Sequence, residues 1–327
     1  MTIKEQLREL LIQNKGKYLS GEEIAKQLYC TRGAIWKAIN SLRAEGCKIS
    51  AATNRGYCLD EEADIMSEQG IRRLLTADVS RVIVMQTVDS TNACLRRLAQ
   101  EGAAEGTVVA AAEQTNGCGR RGRRFFSPSD TGLYLSILLR PSFGAQDAVR
   151  LTAAAAAAVC LAIEEAFGKC PEIKWVNDIF LGGKKVAGIL TEASLGLENG
   201  AVEYAVVGIG INAAEPRGGF PNELSEIAGA VLEKPLPEMR NKLAAAVVNR
   251  FMQYYSAFPK SDFLEEYRRR LMWCGERVFL SEGAGTSGSV PAVMLGVDDS
   301  CRLLVRYEDG SEAIVSSGEI SVRAADD

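Results

Sequence analysis

The 327-residue chain sets 38 Lys/Arg against 42 Asp/Glu, a net charge of −4, with 47% apolar and 24% charged residues and no histidine. This is the composition of an ordinary soluble protein with room for two or three domains, and no apolar run in it is long enough to span a bilayer. The missing histidine excludes Ser-His-Asp and Cys-His catalysis and histidine-based metal sites. Any chemistry then rests on arginine, lysine, carboxylates, backbone dipoles and Mg²⁺. The nine cysteines include no Cys-x-x-Cys pair, which points to reduced thiols and a cytoplasmic setting. The charged N-terminus does not read as a signal peptide. Residues 1–60 hold ten Lys/Arg and six Asp/Glu. A basic module on an acidic body suggests a polyanion partner for the module.

Taken in order, Ile3, Leu7, Leu10 and Leu11 recur at helical spacing and predict a helix ending near Asn14–Gly16. Ser20 and Glu23 form a capping box for a second helix that buries Ile24, Ala25 and Leu28. Thr31 caps a third, with Ile35, Ile39 and Leu42 as its apolar stripe and Gly46 following its end. The short Tyr29–Cys30 link makes a helix-turn-helix. The outward face of the third helix carries Arg32, Trp36, Lys37 and Asn40, which suit phosphates and base edges. Trp36 has two readings, contact with a thymine methyl or packing inward. Cys47 to Leu59 reads as a hairpin wing with Arg55 at its tip. The expected domain is a winged helix-turn-helix over residues 1–63. A helical docking domain with merely solvated charges is the plainer alternative.

After an acidic linker, Asp60–Asp64, come a short helix at Ile71–Leu75 and a strand at Val82–Met85. Ser90 then caps a helix running to Gln100. Ser90, Thr91 and Asn92 serve either as a plain cap or as hydroxyls and an amide offered to a small polar ligand at a helix N-terminus. Between strands at Thr107–Ala112 and Leu133–Leu139 lies Gly117-Cys-Gly-Arg-Arg-Gly-Arg-Arg124, a flexible cationic loop suited to phosphate oxygens. Its Gly-x-Gly-x-x-Gly spacing does not open a helix, because Pro128 follows, so a dinucleotide fold is disfavoured. A solvated basic hairpin remains the bland reading.

An alanine-rich helix at Ala153–Phe167 reads as core. Next comes Lys174-Trp-Val-Asn-Asp178, turning through Gly182-Gly183 to Lys185 and returning as Val186–Glu192. This is either a charged turn or a site where Lys174 and Lys185 neutralise an anion beside Asp178. Glu198–Gly200 marks a further turn before a glycine-bearing strand, Ala205–Ile211, and the Pro/Gly-rich stretch Asn212–Pro221 reads as a candidate lid. Helices at Leu236–Phe258 and Asp262–Leu271 close a central body spanning 64–270. Strands at Arg277–Leu280, Val290–Leu295, Leu303–Tyr307 and Glu312–Val315 predict a small SH3-like barrel over 271–327, with no catalytic group in it.

The cationic loop, Lys174-Trp-Val-Asn-Asp178 and Lys185-Val-Ala-Gly-Ile-Leu190 together strongly resemble the biotin protein ligases. Ser90-Thr91-Asn92, Gln114 and Gly208-Ile-Gly-Ile-Asn212 stand in the matching order. With the winged helix in front, the chain is similar to the bifunctional type, ligase and biotin operon repressor (the BirA family). The resemblance implies a multidomain α+β protein whose central mixed-sheet α/β domain is similar to class II aminoacyl-tRNA synthetases. It implies ATP and biotin as substrates, Mg²⁺, biotinyl-5′-AMP as intermediate, and transfer to a lysine of the biotin carboxyl carrier domain of acetyl-CoA carboxylase. It further implies a ligand-induced homodimer on operator DNA of biotin genes, with Thr31, Arg32, Trp36, Lys37, Asn40 and Arg55 at the DNA.

By the same resemblance, Ser90, Thr91, Asn92, Gln114, Arg120 and Lys185 hold biotin, with Gly117, Cys118 and Gly119 nearby. Arg120, Arg121 and Arg123 clamp phosphates, Lys174, Asn177 and Asp178 arrange phosphate and metal, and Asn212 lies near the nucleotide. Lys185, Arg120, Asp178 and Lys174 are the expected catalytic set. The chain departs from the family pattern twice. Cys118 replaces the usual first arginine of the loop, and Val176 replaces the usual proline, which is expected to loosen that turn. A lipoate-type ligase and a non-catalytic small-ligand sensor are the competing functions.

Overall fold

The computed structural model describes residues 2–44, 47–61, 63–129, 131–144, 147–195, 202–258, 262–282, 289–316 and 320–324. The predicted positions Gly46 and Glu198–Gly200 lie outside these. The chain forms two compact units, one of residues 1–67 with 235–241 and one of residues 68–234 with 242–327.

In the first unit, α1 (Ile3–Gln13), α2 (Gly21–Gln27) and α3 (Arg32–Ala44) precede a two-stranded sheet of β1 (Ile49–Ala52) and β2 (Gly56–Leu59). Thr2 and Ser20 each form a complete capping box, with Glu5 and Glu23 respectively, so orphan amide donors at both helix starts are satisfied. Thr31 Oγ1 accepts from the Ala34 amide at 3.2 Å. Leu7, Ile24, Ile35, Ile39 and Leu42 are buried in one core, and each such side chain contributes roughly 1.5–3 kcal/mol. Trp36 resolves outward: it is 58% exposed on the face of α3 opposite that core. Arg32 and Lys37 are exposed with it. Tyr29, in the turn between α2 and α3, is 97% exposed. At the wing tip, the Arg55 guanidinium stacks 4.2 Å above the Tyr18 ring.

The acidic linker is more than a spacer. Asp64 is paired with Arg240, Oδ2 to Nε at 2.7 Å, with both side chains almost fully buried. Arg240 also donates its backbone amide to Asp64 Oδ1 and Nη2 to the Asp64 carbonyl. Removing one partner strands the other charge in a dry site. Asp64→Ala is therefore expected to destabilise the first unit by about 3 kcal/mol or more. Urea unfolding of the full chain measures this, and a change under about 1 kcal/mol would contradict it.

In the second unit, α4 (Glu68–Arg72) leads to β3 (Arg81–Val88), α5 (Thr91–Gln100) and β4 (Thr107–Gln114). After the arginine-rich segment come β5 (Gly132–Leu139), α6 (Ala148–Phe167), β6 (Glu172–Lys174), β7 (Asp178–Leu181), β8 (Lys184–Leu195) and β9 (Val202–Asn212). These seven strands form one mixed sheet, ordered β3-β4-β5-β9-β8-β7-β6, in which β3 and β4 run parallel and the other neighbours antiparallel. Side chains alternate between sheet faces. Thus Glu192 of β8 meets α5 through Asn92, while its neighbour Thr191 meets Thr152 of α6. The two helices cover opposite faces. Ala153–Ala158 of α6 are all fully buried, as expected where small side chains let a helix approach a sheet closely.

The helix α7 (Met239–Ser256) and the short α8 (Phe263–Arg269) follow. The tail is a five-stranded antiparallel sheet of β10 (Arg277–Glu282), β11 (Val290–Val297), β12 (Leu303–Tyr307), β13 (Glu312–Val315) and β14 (Ile320–Ala324), in the order β13-β12-β11-β10-β14. β14 adds a fifth strand to the four predicted ranges. The stretch after Asn212 is not a free lid at its start: Ala213 and Ala214 are buried, and the Ala214 amide bonds the Thr131 carbonyl. Among the described residues, no helix is long and apolar enough to cross a membrane.

Candidate active site

A cleft of about 360 Å³ lies at the sheet in the second unit, within the size range of small-molecule sites. One wall is the N-terminus of α5. Ser90 caps it, accepting from the Ala93 amide. The Thr91 amide and hydroxyl both point at Gln114 Oε1, at 2.9 and 3.2 Å, and Gln114 Nε2 donates to Ser127 Oγ. Ser136 Oγ lies 2.7 Å from Thr91 Oγ1 and 2.6 Å from Asn92 Oδ1. These groups come from α5, β4 and β5, so the sheet register aligns them. Just outside, Arg97 bonds Asp89 and holds that carboxyl down at about 2.

The second wall is the arginine-rich segment. The expected flexible loop is a closed miniature hairpin. The Phe125 amide bonds the Gly117 carbonyl, the Gly119 amide bonds the Arg123 carbonyl, and Cys118 bridges Arg124. A side chain at Gly117 would put its Cβ 2.6 Å from the Phe125 carbonyl oxygen, so the hairpin closes only over glycine. A single 3-10 turn at Arg120–Gly122 reverses it, with Arg121 in the left-handed region at φ 58°. The exposed Cys118 thiol donates to the Asn116 carbonyl.

The floor is a continuous polar chain. Arg120 Nη1 donates to Asn177 Oδ1 at 2.9 Å. Asn177 Nδ2 donates to Asp178 Oδ1 at 3.0 Å, and Lys185 Nζ lies 2.6 Å from the same oxygen. Burial pulls the Arg120 pKa below its usual value, against the opposing pull of Asp178. Arginine remains charged regardless. Lys174 lies over the Trp273 and Phe180 rings at 5.1 and 5.6 Å.

The sequence placed Asn177 and Asp178 in one hairpin with Lys185. The structure separates two reversals. The first, at Trp175–Asn177, joins β6 to β7, and the second, at Gly182-Gly183, joins β7 to β8. Asp178 opens β7 directly across from Lys174. The expected looseness at Val176 meets a tether: the buried Tyr267 hydroxyl donates to the Val176 carbonyl at 3.1 Å. Burial raises the Tyr267 pKa well above its usual value, so it stays a neutral donor.

Ser90, Thr91, Asn92, Gln114, Cys118, Gly119, Arg120, Arg121 and Arg123 all line the cleft, with Lys174, Asn177, Asp178 and Lys185. Gly117 and Asn212 do not. Gly117 backs the hairpin, and Asn212 donates to the Gly229 carbonyl. Phe125, Gly208 and Ser281 line the cleft but were absent from the predicted site. Ser136, behind them, was missed as well. A serine inside the apolar run 132–139 was the one available signal for it.

Fold and cleft together define a protein that pairs a helix-turn-helix unit with an α/β domain whose cleft is lined by arginine and lysine, and a C-terminal β-sheet. The comparisons with known proteins agree part by part. Residues 4–58 match an HTH domain, 84–212 the biotin/lipoate A/B protein ligase family, and 284–323 the biotin protein ligase C terminal domain. The chain is 34% identical to the bifunctional ligase/repressor BirA of Bacillus spizizenii over 97% of its own length and 98% of that protein's. It is 28% identical to that of Escherichia coli over 98% of each. Its fold aligns with the biotin protein ligase from Aquifex aeolicus in complex with biotin and ATP, with a TM-score of 0.63 and 29% identity, covering 75% of this chain and all of that one. The chain belongs to the biotin protein ligase family, in its bifunctional BirA branch.

Proposed function

We propose that the protein activates biotin with ATP, transfers it to a lysine of a biotin carboxyl carrier domain, and represses biotin genes when loaded with the adenylate. The observation that carries this reading is a cleft that brings an uncharged polar set (Thr91, Asn92, Gln114) together with a cationic one (Arg120, Lys185). The first set suits a neutral polar ring system, the second a carboxylate and phosphates.

In this reading the biotin carboxylate attacks the α-phosphate of ATP, and pyrophosphate leaves. The carrier lysine, having lost its proton, then attacks the mixed anhydride carbonyl, and AMP leaves. Two anions must meet, so the contribution of the protein is positioning and charge neutralisation, which a chain without histidine can supply. Lys185 orients the carboxylate, Arg120, Arg121 and Arg123 hold phosphate oxygens, and the hairpin excludes water from the anhydride. Asn177 fixes Arg120. Asn212, away from the cleft lining, takes the outer position near the nucleotide. Among the described residues no group of three His, Cys, Asp or Glu could hold Mg²⁺ unaided. Asp178 would supply one carboxylate to an ion accompanying ATP, which would there neutralise phosphate charge, since Mg²⁺ is commonly held by one or two carboxylates plus phosphate oxygens.

The functional parts are then a winged helix-turn-helix (1–63), with which residues 64–67 and 235–241 form one compact unit, a catalytic domain of class II synthetase type drawn from 64–270, and an SH3-like tail (271–327). The protein works in the cytoplasm and dimerises on loading. The exposed Arg32, Trp36 and Lys37, with Thr31, Asn40 and Arg55, meet operator DNA.

Incubation with ATP, biotin and an apo carrier domain tests the ligase. Pyrophosphate release and labelled carrier are expected with biotin and not with lipoate, and their absence would end this reading. A gel shift on DNA upstream of biotin genes, with and without biotin and ATP, tests the repressor.

Gly208 provides a sharper test. A Cβ there would lie 2.1 Å from Asn92 Oδ1, so Asn92 and the start of α5 must give way. Gly208→Ala is expected to weaken biotin binding at least tenfold, roughly 1.4 kcal/mol, by calorimetry. An unchanged affinity would remove Asn92 from the biotin contacts.

A further inference from the structure

Asn92 stands at the centre of a relay that begins outside the cleft. Its Nδ2 donates to Glu192 Oε2 at 2.7 Å and to the Leu190 carbonyl at 3.3 Å. The other Glu192 oxygen accepts from Arg96 Nη1 at 2.6 Å. On its opposite side, Asn92 Oδ1 faces Ser136 Oγ. Arg96 lies one helical turn beyond Asn92 on α5, and Glu192 sits on β8. A carboxylate and a carbonyl only accept hydrogen bonds, whereas a carboxamide presents a donor end and an acceptor end. Two acceptors on one side therefore force the amide nitrogen of Asn92 towards β8 and its oxygen towards Ser136.

We propose that Glu192 is a positioning residue for the ligand: with Arg96 behind it, it fixes the orientation of the Asn92 amide, and through Ser136 and Thr91 the direction in which the cleft hydroxyls donate. This inference rests on the biotin-binding reading of the cleft. The consequence is a polar array whose donors and acceptors are set before the ligand arrives. Asn92 and Ser136 are buried, so a reversed amide finds little water to repair the mismatch. Glu192 itself touches no ligand, since it does not line the cleft.

Glu192→Gln tests the idea with almost no change in shape. The new carboxamide has one acceptor end for two donors. Arg96, being charged, captures it, and the amide end is left facing Asn92 Nδ2, donor against donor. Reversing Asn92 sets its oxygen against the Leu190 carbonyl instead. Either way a buried group loses its partner, which corresponds to a loss of affinity on the order of tenfold. Calorimetry on the full chain is expected to show a biotin Kd about tenfold higher, while the KM for ATP stays within threefold of wild type. Asn92→Ala is expected to weaken biotin binding too, and adding Glu192→Gln to it is expected to change nothing more. Glu192→Asp keeps an acceptor-only group and should restore part of the affinity. If Glu192→Gln fails to fold, Arg96→Met, which frees the carboxylate without removing it, is expected to weaken biotin binding in the same direction by a smaller factor. Unchanged biotin affinity in Glu192→Gln, or in Arg96→Met where that variant stands in for it, overturns the proposal, and so do effects that simply add in the double variant. If the wild-type chain binds no biotin, the functional reading itself fails, a result distinct from failure of this inference.

Discussion

Lys185→Ala is expected to raise the Kd for biotin about a hundredfold. The ammonium group lies 2.6 Å from Asp178 Oδ1, and both side chains are about two-thirds withdrawn from water. Removing it does two things. It takes away the cation proposed to meet the biotin carboxylate, and it leaves the Asp178 carboxylate facing the same space without its ion-pair partner. Truncating one partner of a hydrogen-bonded charge pair between protein and ligand costs about 3 kcal/mol, and for the proposed pair of Lys185 with the biotin carboxylate this converts to the hundredfold change. Calorimetry with biotin alone measures it, and a shift of less than threefold would assign Lys185 to structure instead. The Asp178 carboxylate keeps its bond from Asn177 Nδ2, so the turn is expected to survive and the variant to stay folded.

Arg120→Ala is expected to cut the rate of pyrophosphate release by about two to three orders of magnitude, with a smaller effect on biotin affinity. The guanidinium is half-buried, bonds Asn177, and sits where the hairpin meets the floor of the cleft. A fixed donor aimed at developing phosphate charge in a partly dry site acts mainly in the transition state. Arg120→Lys is expected to recover only part of the rate, because an ammonium group cannot hold Asn177 and a phosphate oxygen in one planar fork. Equal rates for wild type and Arg120→Ala under single-turnover conditions would refute the clamp.

The legible parts of this chain were those written locally. Ser20 and Glu23 are three residues apart and announce a helix start. Thr31, Ile35, Ile39 and Leu42 announce the next helix, and the outward position of Arg32 and Lys37 follows from the same periodicity. The sequence left Trp36 open because exposure is a tertiary property. The site was legible in part, because most of its polar residues sit in three short motifs. Glu192 was not legible as a site residue. It read as the end of a strand, and its meaning depends on Asn92, a hundred positions away. The pairing of Asp64 with Arg240 spans 176 positions and turned an apparent linker into a buried contact. The hairpin at Gly117–Phe125 looked loose because glycine and arginine are loop formers, whereas its order comes from backbone bonds that composition does not encode.

The β-rich tail, which carries no evident chemistry, nonetheless reaches the cleft. Trp175 Nε1 bonds the Cys301 carbonyl at 2.9 Å, Trp273 covers Lys174, and Ser281 lines the cavity. During synthesis, domains generally fold as units, those nearest the N-terminus first. The buried apolar core of the helix-turn-helix ends in sequence at Ala63, and the first unit as a whole is complete by residue 241. The hydrogen bond from Trp175, beside the turn bearing Asn177 and Asp178, forms only once Cys301 has emerged. The cleft is thus completed by the last part of the chain to be made, whereas the helix-turn-helix is made first.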